Sequence, residues 1–317
     1  MAILLPPSQT ISLTDLLMTP QGVPIEAFIW DIDQTLTNSE PAQLKSWIIE
    51  AEILFGPEFA EAVAPYLNKI FKTRRFHMLR PVLLIMMYKL ITPSGRQTRD
   101  GHKQIPEQIR GRIIEASLQS AIMGLAEQAK SENIWSLAER VNADPRFNQA
   151  ALAVNLIFDE GRNKLLVQQA RNLEIDPMPG VRHVIAEMHR RGIRQGVCTS
   201  TSSTLAPDML RAVFGDYVWA VLNGAACFGD QVRQMKPNTE GCVKVAADFG
   251  FQRGNLAPVA VADDSVRLIE HLRTDGFGRP ICVIDGHNDE PHLEHLNDGE
   301  PDGVVTVYSF EQVNLAA

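Results

Sequence analysis

Two aspartates, Asp31 and Asp33, follow a run of four apolar residues at 27–30 and are separated by a single residue. The run has the length and composition of a buried strand. A carboxylate is costly to bury without a partner, so a pair at the end of such a strand is expected to face a cation. A turn, or the cap of a following helix, would also favour aspartate at these positions. On this stretch alone, both interpretations stay open.

Side chains of related chemistry follow other apolar runs. Thr199 and Ser200 end one of them, and Asp263 and Asp264 end another. Lys236 lies between these two runs and precedes a proline. In an open α/β sheet, ligands bind outside the carboxyl ends of the strands. The sequence therefore predicts that four carboxyl groups, a hydroxyl cluster and one lysine meet at the same edge of a sheet.

Such a set has a coherent chemical meaning. Clustered carboxylates require a hard divalent cation, and Mg²⁺ binds carboxylates together with the phosphate oxygens of a substrate. One carboxylate can attack phosphorus to form an aspartyl-phosphate, while a second protonates the leaving oxygen and later deprotonates water. A hydroxyl and a lysine would hold the remaining phosphoryl oxygens. Each signal alone has a structural alternative, namely a strand-end hydroxyl, a solvated loop lysine or a helix N-cap.

The elements that must position these residues are short apolar runs alternating with amphipathic helices. After the first run, at 26–36, the strand candidates are at 194–200, 217–224, 257–265, 279–286 and 303–309. Helical patterns lie between several of them, as at 180–192 and 240–250. This alternation predicts an α/β fold with a parallel sheet and helices on both faces.

The chain between residue 40 and about residue 175 has a different pattern, with long helical periodicities and no comparable strand. The simplest organisation is an α/β core, at 1–39 and 176–317, interrupted after its first strand by an enlarged all-helical cap at 40–175. The apolar stretch at 81–91 is expected to be the buried central helix of this cap, with a helix on a membrane surface as the alternative. A short helix is expected at 12–17, packing either on the core or on a second subunit.

Four motifs of this chain resemble those of the haloacid dehalogenase (HAD) superfamily of phosphotransferases. In chain order, the matching motifs are at residues 31–36, 197–199, 236–237 and 263–265. Residues 37–40 and 178–181 also resemble the subgroup whose helical cap lies between the first two motifs. The resemblance covers residues 25–40 and about 176–312, and it implies a doubly wound, Rossmann-like parallel sheet.

The resemblance also implies a role for each matching residue. Asp31 would be the nucleophile and Asp33 the general acid and base. Thr199, Ser200 and Lys236 would bind the phosphoryl group. The Mg²⁺ ligands that it implies are Asp31, Asp33 through its backbone carbonyl, Asp264 and Asp263.

Three features depart from the family pattern. Gln34 stands where the family usually has glycine, so the turn is expected to be less strained or slightly re-aimed. Asn38 replaces a usual aspartate, which is expected to affect the flap after the first motif more than the chemistry. The insertion is longer than such caps usually are, so no residue that sets substrate specificity carries over from a known cap.

Composition and charge bound the possible functions. Of 317 residues, 45% are hydrophobic and 21% charged, and the net charge of −8 disfavours general nucleic-acid binding. No apolar run approaches 18 residues, so no transmembrane helix is expected. The start of the chain lacks the basic region of a secretory signal. The four cysteines form no CxxC pair, which favours buried thiols and a cytoplasmic location over disulfides or zinc.

Charge is unevenly distributed along the chain. Residues 72–112 contain ten lysines and arginines against two acidic residues, a net charge of 10 − 2 = +8. Such a stretch in the cap is expected to attract an anionic substrate, and a solvated basic face is the alternative. The run at 287–295 is rich in histidine and acidic residues, but it is expected to form a loop and a helix rather than a second metal site.

The function predicted from the sequence is Mg²⁺-dependent hydrolysis of a phosphomonoester through an aspartyl-phosphate on Asp31. The substrate expected is a small anionic phosphorylated metabolite. A phosphomutase would use the same residues and is the first alternative. The second alternative is a non-catalytic relative whose large cap binds a partner. The oligomeric state stays open.

Overall fold

The computed structural model describes residues 3–4, 9–73, 76–91, 116–129, 132–284 and 304–315. The chain divides into two compact units. The core unit comprises Met1–Glu40 and Val167–Ala317, and the insertion unit comprises Pro41–Leu166. The predicted cap, at 40–175, overlaps the insertion unit, and its boundaries stay a prediction.

The described strands all belong to the core unit. They are β1 (Ile3–Leu4), β2 (Ile11–Ser12), β3 (Ala27–Trp30), β4 (Thr37–Asn38), β5 (Asp176–Pro177), β6 (Arg194–Cys198), β7 (Ala226–Cys227), β8 (Val259–Asp263), β9 (Arg279–Val283), β10 (Val305–Val307) and β11 (Val313–Asn314). Seven of these described strands form one sheet, in the order β1-β10-β9-β8-β3-β6-β7. Every pairing in it is parallel, so the predicted α/β fold with a doubly wound parallel sheet is confirmed.

The register of the central strands brings the motifs to one level of the sheet. In β3, Trp30 is paired with Val197 of β6 on one side and with Ala262 of β8 on the other. The residue that follows Trp30 is Asp31, whose backbone N–H donates to the carbonyl oxygen of Ala262 over 2.9 Å. The carboxyl ends of β3, β6 and β8 therefore lie side by side. The strand order reverses at β3, and ligands of open α/β sheets bind at such a topological switch point.

The following helices belong to the core unit, except that the boundary between the two units falls within the long helix at 148–171. They are α1 (Leu13–Leu16), α7 (Asn148–Arg171), α8 (Val181–Arg190), α9 (Ala206–Phe214), α10 (Asp216–Leu222), α11 (Glu240–Asp248) and α12 (Val266–Thr274), numbered so that α2–α6 belong to the insertion unit. In α8 the buried side chains recur at intervals of three and four residues, at 181, 184, 185 and 188, which is the pattern of a helix with one face on a core. The periodicities at 180–192 and 240–250 therefore predicted helices correctly.

The strand predicted at 217–224 is wrong. The residues form helix α10, and the neighbouring strand of the sheet is β7, a few residues later. Trp219 and Leu222 are buried three residues apart, whereas Tyr217 is 66% exposed, so this stretch buries one helical face. A short apolar run does not distinguish a strand from a buried helical segment, and here the packing of two side chains decides.

The N-terminal residues pack on the core unit through the predicted short helix, which is confirmed. Ser12 caps α1 by accepting a hydrogen bond from the backbone N–H of Asp15 over 2.9 Å, and Leu13 and Leu16 are fully buried. The buried Arg279 of β9 donates from Nη2 to the carbonyl oxygens of Asp15, over 3.0 Å, and Met18. A buried guanidinium thus anchors this segment to the sheet.

Helices make up most of the described insertion unit. They are α2 (Glu40–Phe55), α3 (Pro57–Lys72), α4 (Leu79–Leu90), α5 (Ala116–Gln128), α6 (Ile134–Ala143) and the first part of α7. Residues 81–88 of α4 are all buried, and residues 82–88 belong to one hydrophobic cluster with the other helices of the unit. The expectation of a buried central helix is therefore confirmed. Most of the basic stretch at 72–112 and the run at 287–295 lie outside the described residues.

The four cysteines, Cys198, Cys227, Cys242 and Cys282, are all buried and are thiols rather than disulfide partners, as expected. All four belong to one hydrophobic cluster, in which Cys198 and Cys227 are register partners in neighbouring strands and Cys242 lies on α11. Among the described residues, no helix combines the length and the apolar character needed to cross a membrane.

Candidate active site

Asp31 lies at the carboxyl end of the central strand and is almost completely buried. Its carboxylate oxygen Oδ1 is 2.5 Å from the ammonium of Lys236. The same ammonium lies 2.6 Å from Oδ2 of Asp263. Residues from β3, from β8 and from the loop between β7 and α11 therefore meet at one point. The predicted convergence of Asp31, Lys236 and Asp263 at this edge is thus present in the structure.

The charge of Lys236 is stabilised by its two partners. Burial opposes the ammonium, but the carboxylates of Asp263 and Asp31 outweigh it and hold the pKa of Lys236 well above its usual value. The side chain is 13% exposed, so these contacts are little screened by solvent. Lys236 is therefore a cation fixed between two carboxylates, rather than a solvated loop lysine.

The loop that carries Lys236 is held from several sides. The Glu240 carboxylate accepts the backbone N–H groups of Arg233, over 3.2 Å, and Gln234, over 3.0 Å. Nδ1 of His271, on α12, lies 2.8 Å from the carbonyl oxygen of Pro237, and because a carbonyl only accepts, this nitrogen carries the proton. These bonds restrict the loop and thereby the position of the ammonium.

The two acidic residues at the end of β8 have different surroundings. Asp263 is 1% exposed and both of its oxygens are engaged, because Oδ1 accepts the backbone N–H of Ser265 over 2.8 Å and Oδ2 contacts Lys236. Asp264 is partly buried and close enough to raise the pKa of Asp31. The next residue, Ser265, is the N-cap of α12, so the predicted capping role belongs to the serine.

Asp33 is held by two hydroxyl groups. Its Oδ1 accepts a short hydrogen bond from Ser39, and its Oδ2 accepts from Thr201 Oγ1 over 2.9 Å. The backbone N–H of Thr201 in turn donates to Thr199 Oγ1 over 3.1 Å. A chain of contacts thus connects the first motif to the second. Ser39 and Thr201 were not among the residues predicted to form the site, and the only signal for them in the sequence is the richness in hydroxyls of these two segments.

The turn after Asp33 contains a residue in an unusual conformation. Gln34 has φ of +59°, in the left-handed region that favours glycine, and its N–H donates to the carbonyl oxygen of Thr37 over 2.7 Å. The expectation of a less strained turn is therefore wrong, because the backbone keeps the glycine-like conformation with a glutamine in place. For a residue with a Cβ, this conformation costs about 1–2 kcal/mol.

The Gln34 side chain is also buried, with 6% of the residue exposed. Its Nε2 has no hydrogen-bond partner within the described part of the chain. A buried amide donor without a partner is uncommon in folded proteins and adds a further cost to this position.

Thr199 and Ser200, at the end of β6, line a small pocket together with Lys236. The backbone N–H of Thr199 donates to the carbonyl oxygen of Cys227 over 3.1 Å, and Ser200 is exposed. Gly229 lies against this segment so closely that a Cβ there would be 2.2 Å from the carbonyl oxygen of Ser200. A glycine is required at this contact, and it fixes the backbone that carries the predicted phosphate-binding hydroxyls.

The site has an excess of negative charge. Burial raises the pKa of Asp31 well above its usual value, Lys236 lowers it, and Asp263, Asp264 and Asp33 raise it further. Within the described residues, no three acidic, histidine or cysteine side chains converge closely enough to form a ready-made metal cluster. The donor chemistry nevertheless fits Mg²⁺, since the carboxylates of Asp33, Asp263 and Asp264 all lie close enough to Asp31 to raise its pKa, and carboxylate oxygens are the ligands that this cation prefers.

Comparison with known proteins identifies the class to which this fold and site belong. The family model described as haloacid dehalogenase-like hydrolase matches residues 25–273, and the chain belongs to that family. The resemblance predicted from the four motifs is therefore confirmed. No curated protein matches the sequence significantly.

Several solved structures are similar to this chain. A HAD hydrolase of family IA, variant 3, from Entamoeba histolytica has a TM-score of 0.51 and 11% identity, with 92% of this chain and 96% of that one covered. A protein assigned as a phosphoglycolate phosphatase from Lactobacillus delbrueckii subsp. bulgaricus has a TM-score of 0.50 and 12% identity, with 90% and 95% covered. A protein assigned as a β-phosphoglucomutase from Thermotoga maritima has a TM-score of 0.49 and 19% identity, with 92% of this chain and 98% of that one covered. At these identities the first two likenesses support the fold.

Proposed function

We propose that this chain is a Mg²⁺-dependent phosphomonoester hydrolase that forms an aspartyl-phosphate on Asp31, and that its substrate is a small anionic phosphorylated metabolite. The observation that carries the proposal is the position of Lys236, whose ammonium lies 2.5 Å from Asp31 Oδ1 at the carboxyl edge of the sheet. A lysine fixed beside a nucleophilic carboxylate can hold the oxygens of the phosphoryl group that the carboxylate attacks.

In the first step, the Asp31 carboxylate attacks phosphorus and the bond from phosphorus to the leaving oxygen breaks. Lys236 neutralises the charge on the phosphoryl oxygens, and the hydroxyls of Thr199 and Ser200 donate hydrogen bonds to them. Asp263 positions Lys236, because both of its oxygens are engaged by Lys236 and by the backbone of Ser265. This role replaces the metal-ligand role that the resemblance implied for Asp263.

Asp33 acts as the acid and base in both steps. In the protonated form it gives its proton to the leaving oxygen, and as a carboxylate it then takes a proton from the water that attacks the aspartyl-phosphate. The hydroxyls of Ser39 and Thr201 orient its carboxyl group through one oxygen each. Fixing the rotation of this group keeps the proton donor close to the leaving oxygen.

Mg²⁺ would be held by the Asp31 carboxylate, the backbone carbonyl of Asp33 and the Asp264 carboxylate. When bound, it would neutralise charge on the phosphoryl oxygens and on the crowded carboxyl groups. Family membership supports the proposal at the level of a hydrolase. The phosphatase assigned to the Lactobacillus neighbour is of the same reaction class.

The test is phosphate release from a panel of phosphomonoesters, including p-nitrophenyl phosphate and several sugar phosphates, with Mg²⁺ or with EDTA. Wild type is compared with Asp31→Asn, which keeps the size of the side chain and removes its nucleophilic charge. The proposal predicts turnover that requires both Mg²⁺ and Asp31. An isomerised sugar phosphate without free phosphate would indicate a mutase instead. Turnover that survives in Asp31→Asn would contradict the mechanism.

A further inference from the structure

We propose that Gln34 contacts the substrate, and that its side-chain amide donates a hydrogen bond to an oxygen of the phosphoryl group during transfer. The inference rests on the proposed function and adds one residue to the site. It would make Gln34 a neutral hydrogen-bond donor that works beside the charged Lys236. Two independent observations support it.

The first observation is the backbone of the turn. Gln34 and Leu173 are the non-glycine residues with positive φ among those that the structure describes, at +59° and +61°. Glycine would adopt the Gln34 conformation without strain. Leu173 follows a helix end and is 80% exposed, where helices commonly finish in this conformation. Gln34 does not end a helix, and strained residues of this kind cluster at active sites.

The second observation is the unpaired amide. Gln34 is buried, yet its Nε2 has no hydrogen-bond partner among the described residues. Both carboxylate oxygens of the adjacent Asp33 already accept hydroxyl hydrogen bonds, from Ser39 and from Thr201. A buried donor next to engaged acceptors is costly to maintain unless another acceptor arrives with a ligand.

The chemistry of the surroundings identifies that acceptor. Gln34 directly follows the proposed acid and base, and its turn leads into β4, so its backbone adjoins the residue proposed to protonate the leaving oxygen. A phosphoryl group supplies several anionic oxygens, which accept hydrogen bonds from neutral donors. An amide can stabilise the charge that develops in the transition state without adding a further charge to the site.

Two substitutions separate the amide from the backbone. Gln34→Gly removes the amide and relieves the strained conformation, whereas Gln34→Met keeps the strain and the volume but lacks the donor. Both are expected to lower kcat/KM for a phosphomonoester by about 10²-fold, the effect of losing one oxyanion donor. Gln34→Gly is also expected to raise the melting temperature. Leu173→Gly is the matched control, because it relieves the same conformation on an exposed residue and should leave the kinetics unchanged.

The measurements are steady-state kinetics and inhibition by orthovanadate, which imitates the phosphoryl group in transfer. The inference predicts weaker inhibition in both Gln34 variants and unchanged inhibition in Leu173→Gly. If kcat/KM of Gln34→Met equals that of the wild type, the inference is overturned while the proposed function stands. If wild type hydrolyses no ester, the proposed function fails, and calorimetry with inorganic phosphate becomes the deciding test. Equal binding to wild type and Gln34→Met, or no binding to wild type, would then overturn the role of Gln34.

Discussion

The ammonium of Lys236 lies 2.5 Å from Asp31 and 2.6 Å from Asp263, so one cation balances two buried carboxylates from neighbouring strands. Removing the cation leaves those carboxylates uncompensated. We expect Lys236→Met to lower the free energy of unfolding by about 3–5 kcal/mol and to abolish turnover. Urea denaturation followed by circular dichroism measures the first effect. Unchanged stability in this variant would show that the carboxylates are not buried charges.

Substitutions of the two acidic residues at the end of β8 are expected to change the Mg²⁺ dependence of activity differently. Asp264→Asn should raise the Mg²⁺ concentration that gives half-maximal activity, because a carboxylate ligand is lost. Asp263→Asn should lower kcat even at saturating Mg²⁺, because the charge of Asp263 Oδ2 positions Lys236. Titrating activity against Mg²⁺ in both variants distinguishes these effects. If both variants need the same higher Mg²⁺ concentration for half-maximal activity, Asp263 is a metal ligand rather than a positioning residue.

The hydrogen bond from Thr201 to Asp33 connects residues that are 168 positions apart in the chain. Thr201→Val removes this donor and retains the shape of the side chain. We expect kcat to fall by about tenfold, the typical worth of a hydrogen bond to a charged group, with little change in KM. Thr204→Val is the control, since the Thr204 hydroxyl contacts Ser202 on the same loop. Equal kinetics of the two variants would mean that Thr201 does not orient the acid.

Close packing of Gly229 against the Ser200 backbone provides a further test. A Cβ at Gly229 would lie 2.2 Å from the carbonyl oxygen of Ser200, so Gly229→Ala must displace the segment that carries Thr199. We expect a loss of about 1–3 kcal/mol in stability and a rise in KM. At Gly224, the nearest atom to an added Cβ is 3.8 Å away, and Gly224→Ala should change neither quantity appreciably. Thermal denaturation and kinetics of the pair test this difference.

Much of this organisation could be predicted from the sequence, because it depends on local patterns. Apolar runs that end in polar residues placed Asp31, Thr199 and Asp263 at one edge of a parallel sheet. The stretch at 217–224 was misassigned because its composition suits both a strand and a helix, and tertiary packing decided between them.

The contacts around Asp33 could not be read in the same way. Ser39 and Thr201 approach it only after the first and second motifs have been brought together by the sheet. The conformation of Gln34 was missed for a different reason. A glutamine at a glycine position suggested a relaxed turn, whereas the hydrogen bond from its N–H to Thr37 maintains the left-handed backbone.

The most direct test of the central claim is to trap the phosphorylated enzyme. The protein is mixed with Mg²⁺ and a phosphomonoester that it hydrolyses, and the reaction is quenched in acid within one turnover. The peptides of the protein are then analysed by mass spectrometry. The mechanism predicts one phosphoryl group on the peptide that contains Asp31, longer lived in Asp33→Asn and absent from Asp31→Asn. Phosphate release without a phosphorylated peptide, or with the phosphoryl group on another residue, would contradict Asp31 as the nucleophile.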